Sequence, residues 1–269
     1  MNKDEALNTF VSVMKLRDLS ASTVKMYSWY VSRFIDHSGK EDVSLLDLSD
    51  AQSYVLMMKE RGDEPQSINV VICALRYFYE TVLDKAYTRK QFPDLKYPEK
   101  IPYLFGKDEI RAILSEADVR MKLVILLGCD CGFRASETAH IRIQDVDVNR
   151  RIICIPDSKR GVSRNVKLSG SVLDAFRSYW KLYGWENWKK EDYLFPSPKR
   201  PGNCVRTAVI HSWFSTYMKN FDFYEKDMTY HCLRHSFATN MLENGCDIFL
   251  RQNLLGKKSL FSTDRYNDY

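Results

Sequence analysis

Residues 92–102 read Phe-Pro-Asp-Leu-Lys-Tyr-Pro-Glu-Lys-Ile-Pro. The prolines at 93, 98 and 102 lack an amide hydrogen and disfavour helical geometry in the residue before them, so no helix can run through this stretch. Its interleaved lysines favour solvent, which predicts an exposed linker over residues 93–102 between a domain of residues 1–92 and one of residues 103–269. A chain of 269 residues is long enough for two bodies with separate cores.

Toward the N-terminus, glycines are few and apolar residues recur at helical spacing, which predicts a small helical bundle. Phe10, Val11, Val13 and Met14 begin one helix, and Ser20 or Ser22 caps a second that carries Val24, Tyr27, Val31 and Phe34 on one face. A third runs from Ser49 through Tyr54, Val55 and Met58, and a fourth through Ile68, Val71, Leu75, Phe78 and Tyr79, with Arg61-Gly62-Asp63 breaking the chain between them. Toward the C-terminus the pattern is mainly α with a small β-hairpin. A helix is expected from Lys107 to Glu116 and a buried one around Val119 to Cys129. Arg151 to Ile155 is rich in β-branched residues, and Val162 to Leu168 answers it across a Lys159-Arg160-Gly161 turn. Helix then resumes, with Gly245 and Gly256 placed as stops.

Hydrophobic residues at 45% and charged residues at 28% fit a soluble globular protein. The apolar run from Leu123 to Leu127 is too short to span a bilayer, and Asp4 and Glu5 do not suit a signal peptide, so a cytoplasmic location with no membrane partner is expected. Seven cysteines without zinc-site spacing read as reduced core thiols, and no metal or other cofactor is expected. Residues 1–100 are close to neutral, so the net charge of +5 belongs to the second part. There, basic residues cluster at Lys159, Arg160, Arg164 and Lys167, at Lys189 and Lys190, at Lys199 and Arg200, and at Lys257 and Lys258. Side chains of this kind neutralise phosphates and supply sequence-independent affinity for nucleic acid. Arg160 and Arg164 are the expected DNA contacts of the second domain, with Lys25, Lys15 and Arg17 from the first.

Four separated features of the second domain carry chemistry. In Gly132-Phe133-Arg134-Ala135-Ser136-Glu137 an arginine follows a glycine turn with an acid three residues on, within reach on one helical face. Lys159 stands at the hairpin tip. His231-Cys232-Leu233-Arg234 sets imidazole and guanidinium at i, i+3 near a helix N-terminus, a place that favours anions. Thr263-Asp264-Arg265-Tyr266 comes last, with Tyr269 as a competing phenol.

Together these residues resemble the tyrosine recombinases of the phage integrase family. That family shares an arginine followed three residues later by an acid, a hairpin lysine, an H-x-x-R helix running on like Leu233 to Thr239, a Leu-Leu-Gly-His element and a terminal tyrosine after a threonine. The chain offers Arg134 and Glu137, Lys159, His231 and Arg234, Leu254-Leu255-Gly256 and Tyr266 in that order. The N-terminal bundle resembles the family's SAM-like core-binding domain, so the resemblance covers nearly the whole chain. One position departs from the pattern: Lys257 stands where the family has histidine, a flexible point charge in place of an oriented ring donor. Many relatives continue past the tyrosine into a tail that docks on a neighbouring protomer; here such a tail lies beyond Tyr269 or another element makes those contacts.

The resemblance implies a site-specific recombinase in which Tyr266 attacks a backbone phosphate to form a 3′-phosphotyrosyl bond, with Lys159 as general acid on the departing 5′ oxygen. Attack adds negative charge to the non-bridging oxygens, which Arg134 and Arg234 can meet with planar donor forks while His231 adds a donor or helps accept the tyrosine proton. Glu137 would orient Arg134, and Lys257 would donate to the phosphate. A free phenol has a pKa of about 10, so Tyr266 needs that cationic cluster to ionise. The resemblance also implies a C-shaped clamp on double-stranded DNA, a homo-tetramer on two recombination sites with cyclic contacts, and an accessory DNA-bending or partner recombinase protein. Integration, excision or transposition of a mobile element is the expected task. A non-catalytic DNA-binding regulator, suggested by Lys257, and a strand-relaxing topoisomerase are the alternatives.

Overall fold

A computed structural model describes residues 1–98, 101–156, 163–184 and 188–246, and the chain divides into two compact units, Met1–Lys100 and Ile101–Tyr269. In the first, α1 (Lys3–Leu16) starts at a reciprocal cap in which the Asn2 side chain accepts from the Glu5 amide at 2.9 Å and the Glu5 carboxylate from the Asn2 amide at 3.0 Å. Ser20 caps α2 (Ala21–Ser38) through the Thr23 amide at 3.2 Å. Asp47 caps α3 (Leu48–Glu60), and Pro65 opens α4 (Pro65–Val82), where its missing N–H costs nothing. Their inner faces bring Phe10, Phe34, Leu75 and Phe78 to complete burial. The Phe10 and Phe78 rings meet edge-on with centroids 5.4 Å apart.

The segment expected to leave this bundle as an exposed linker begins instead by packing on it. Phe92 is 2% exposed within the bundle core. Asn69 on α4 holds Leu95 from both sides, donating to its carbonyl at 2.9 Å and accepting from its amide at 2.7 Å. Arg76 donates to the Phe92 carbonyl through Nε at 2.9 Å and pairs with Asp94 at 3.0 Å. Proline spacing reports where helix cannot continue; it carries no information on where an extended segment docks.

In the second unit α5 (Lys107–Ser115) leads to α6 (Val119–Cys129), whose residues from Leu123 to Gly128 are all buried. A helical stretch apolar on every side belongs in the middle of a fold, while the first turn of α6, with Arg120 and Lys122, reaches toward solvent. Around it pack α7 (Ala135–His140), α8 (Gly170–Tyr183), α9 (Thr207–Met218) and α10 (Tyr230–Glu243). Gly245 follows α10 at φ +71°, as its position predicted; Gly256 lies outside the described residues.

The expected hairpin is present as β2 (Ile152–Ile155) and β3 (Arg164–Lys167), antiparallel with Ile153 opposite Val166 and Ile155 opposite Arg164. Ile153, Ile155 and Val166 point into the core, as a period of two requires. A third strand, β1 (Val146–Asp147), extends the sheet on the far side of β2, and its two residues are too few to show any periodicity in sequence. The turn between β2 and β3, with Lys159, Arg160 and Gly161, lies outside the described residues.

Cysteine burial is mixed. Cys131, Cys204 and Cys232 are buried, whereas Cys73 is exposed on α4 and so is no core thiol. Desolvation pushes the Cys129 thiol up to about 12, with the Asp130 charge adding to it, which keeps that sulfur protonated and unreactive. Among the described residues no helix is long and apolar enough to cross a membrane.

Candidate active site

After α6 the chain must turn at once, and Gly132 turns it at φ +66°. That conformation favours glycine, and a Cβ there would overlap the Phe237 ring of α10, so position 132 excludes a side chain twice over. Gly128 has a similar role in packing: a Cβ would sit 2.9 Å from the Cβ of Leu233, so its absence lets α6 and α10 approach closely. Phe133 then anchors the turn in the core at 0% exposure, and Arg134 becomes the N-cap of α7.

Glu137 closes that cap from inside. Its Oε2 accepts from the Arg134 amide at 2.8 Å and its Oε1 from Arg134 Nη1 at 2.7 Å. The same carboxylate receives both ends of the Arg164 fork, Nη1 at 3.0 Å on Oε1 and Nη2 at 2.8 Å on Oε2. Arg234 Nη1 approaches Oε2 at 3.4 Å and donates to the Gly132 carbonyl at 2.7 Å. The structure therefore brings Arg134, Glu137, Arg164 and Arg234 together from α7, β3 and α10.

These groups lie at different depths. The Arg234 side chain is 2% exposed, Arg164 14%, Glu137 13% and Arg134 38%. Burial by itself would raise the Glu137 pKa, but the Arg164 hydrogen bond and charge, the Arg134 amide and the Arg234 charge outweigh it and hold the carboxyl down at about 2. Three guanidinium groups gather on one ionised carboxylate. Such a site is built to receive an anion, with Arg134 as its most exposed fork.

Helix α10 is fixed by buried polar ties. The Tyr230 hydroxyl and Thr138 of α7 share a hydrogen bond at 2.8 Å. Ser236 accepts from the Phe105 amide at 2.7 Å and donates to the Cys232 carbonyl at 3.0 Å, securing the segment that enters the unit. His231 lies in the first turn, exposed, one turn before Arg234, with its ring 4.5 Å from that of His235 at 88°. At i, i+3 the two residues differ in depth: His231 is exposed and Arg234 is buried.

Arg164 differs from its expected place among DNA contacts: its fork turns inward onto Glu137, because a largely buried carboxylate needs opposite charge close by. No local pattern marks this, since the partners are 27 residues apart. The acceptor role of the Gly132 carbonyl is equally invisible in sequence. Lys25 is exposed on α2. Lys159, Arg160, Lys257, Tyr266 and the competing Tyr269 lie outside the described residues.

Residues 104–269 match the model of the phage integrase family, and residues 7–89 match that of the phage integrase N-terminal SAM-like domain. The chain belongs to the phage integrase family. It is 30% identical over 256 residues to a putative integrase/recombinase, y4qK, of Sinorhizobium fredii, covering 94% of this chain and 80% of that one. With the tyrosine recombinase XerA of Pyrococcus horikoshii it shares 30% identity over 267 residues, covering 97% of this chain and 88% of the other. Among solved structures, a XerA recombinase aligns with a TM-score of 0.56 at 27% identity over 98% of this chain and 94% of its own. A lambda integrase (75–356) dimer bound to a COC′ core site aligns with a TM-score of 0.74 at 16% identity, covering all of this chain and 96% of that one, and so supports the fold. The protein is a tyrosine recombinase of Xer-like type, an enzyme of site-specific recombination that acts on DNA.

Proposed function

We propose that this recombinase cuts and rejoins DNA through Tyr266, with the phosphate held between Arg134 and Arg234. The observation that carries the reading is the cluster of three guanidinium groups on Glu137, with Arg134 the most exposed of them, whose planar donor forks suit a phosphodiester that gains a second negative charge on attack. The Tyr266 oxygen bonds to phosphorus, the bond from phosphorus to the 5′ oxygen breaks, the phenolic proton leaves with help from His231, and Lys159 protonates the departing oxygen. The product is a 3′-phosphotyrosyl enzyme. A 5′ hydroxyl from another strand reverses these steps without an external energy source, because the phosphoryl bond is retained. Lys257 donates to a non-bridging oxygen in this scheme. Lys25 and Arg160 meet the DNA backbone.

The domains of residues 1–92 and 103–269 would clamp opposite sides of the duplex. Four protomers would work on two sites, with an accessory DNA-bending or partner recombinase protein, in the cytoplasm. Transposon and lambda integrases among the structural neighbours, each solved with DNA, support integration, excision or transposition of a mobile element as the task.

A nicked suicide substrate bearing the target site tests the chemistry. The unmodified chain should become covalently attached to DNA, and Tyr266→Phe should bind the same DNA with no attachment. An adduct from Tyr266→Phe would move the nucleophile elsewhere, Tyr269 first.

A further inference from the structure

We infer that Arg164 is a positioning residue for DNA cleavage, acting through Glu137 to set the two arginines that hold the phosphate. This rests on the recombinase reading above and concerns a residue that the reaction itself does not require to touch DNA.

The geometry is specific. Arg134 and Arg234 each reach Glu137 with a single side-chain nitrogen, Nη1, whereas Arg164 places both terminal nitrogens on it, one on each oxygen, at 3.0 and 2.8 Å. A fork used in this way is bidentate and planar, and it fixes the carboxylate's rotation as well as its position. With its side chain 14% exposed, Arg164 lies deeper than Arg134, so its charge serves the interior. Removing it would leave one carboxylate between Arg134 and Arg234 alone. Glu137 would then be free to rotate and would draw both forks away from their places.

Arg164 also ties two elements together. It is the first residue of β3, opposite Ile155, the last of β2, so its grip on Glu137 pins the loop end of the strand pair to α7. Lys159 belongs to the connection between those strands. One ion pair thus joins the strand pair that carries the proposed general acid to the turn that carries the phosphate-binding arginine.

The test is a double-mutant cycle between Arg164→Met and Glu137→Gln, read by adduct formation on the suicide substrate and by DNA affinity across a salt series. Arg164→Met should slow adduct formation roughly 100-fold, the cost of misplacing groups by about an ångström. Its affinity and salt dependence should match the unmodified chain. In the Glu137→Gln background the same change should matter by no more than about twofold, since the route through the carboxylate is already cut. Arg164→Lys should recover part of the rate.

A direct DNA contact gives the opposite pattern, and that result would overturn the inference: a salt slope smaller by about 0.9, weaker binding, and effects that multiply across the cycle. If Arg164→Met does not fold, Arg164→Lys carries the same cycle. If the unmodified chain forms no adduct, the recombinase chemistry falls separately. The positioning claim is then read from the side-chain N–H resonances of Arg134 and Arg234, which should broaden in Arg164→Lys; unchanged resonances sink it.

Discussion

The two units carry charge to different depths. In residues 1–98 Asp42 and Asp47 are exposed, Asp42 accepting from the N-terminal amine at 2.9 Å and from the Ser44 hydroxyl at 2.7 Å and Asp47 capping α3, while Asp50 and Arg76 lie deeper, 15% and 14% exposed, and pair with Lys40 and Asp94. The interior is hydrocarbon and aromatic rings. In the second unit a carboxylate and two guanidinium groups are taken inside, next to a core of ordinary apolar composition. A bundle with charges outside derives its stability from apolar burial, whereas a charged interior gains little net stability and is sensitive to the loss of any partner. The second arrangement suits the phosphate binding proposed for it, and it should make the second unit the more sensitive to acid.

The comparison breaks most sharply at a core ring. Phe78→Ala should cost about 4 kcal/mol, by loss of transfer energy and the cavity left behind, and hydrogen exchange resolved by peptide should localise the loss to the first unit. Next comes acid. The folded-state Glu137 pKa of about 2 lies below its ordinary 4.5, so its contribution is full above pH 4.5 and disappears as pH falls toward 2. On the order of 3 kcal/mol is at stake, and Glu137→Gln should flatten that part of the second unit's stability against pH. Hydrogen bonds from the N-terminal amine and Ser44 also hold Asp42 at about 2, but at the surface. Molar salt should therefore relax the Asp42 titration, followed by NMR, and leave that of Glu137 in place. A Glu137 titration that moves with salt as much as that of Asp42 would remove the distinction.

Smaller effects sharpen it further. Gly132→Ala should cost about 2 kcal/mol through its positive φ and the Phe237 contact, and should slow adduct formation more than its stability loss explains. Asn69→Ala should cost about 1 kcal/mol and free residues 92–95 to proteolysis while leaving the four helices protected. Equal protease resistance with and without the Asn69 side chain would show that Phe92 alone holds the segment.

Much of this was legible beforehand for physical reasons that act locally. The helices of the first unit follow from apolar spacing and, for α2, from the cap at Ser20, which works within four residues of itself. The hairpin followed from β-branched residues on either side of a glycine turn. The reach of Glu137 to Arg134 is likewise an i, i+3 relation, short enough to read from spacing. By contrast, β1, the docking of Phe92 and the inward turn of Arg164 depend on partners far away along the chain or on segments too short to carry a pattern.

Sequence alone determined the family, the helical spacing, the breaks at proline and glycine, and the residue types that a phosphoryl-transfer site needs, because each is written in identity and separation along one chain. Tertiary structure decided which arginines share the carboxylate, how deep each one lies and which of them stays the most exposed. Those quantities depend on distance and solvent exclusion in three dimensions, and the attraction between Arg164 and Glu137 exists only once β3 has been laid against α7.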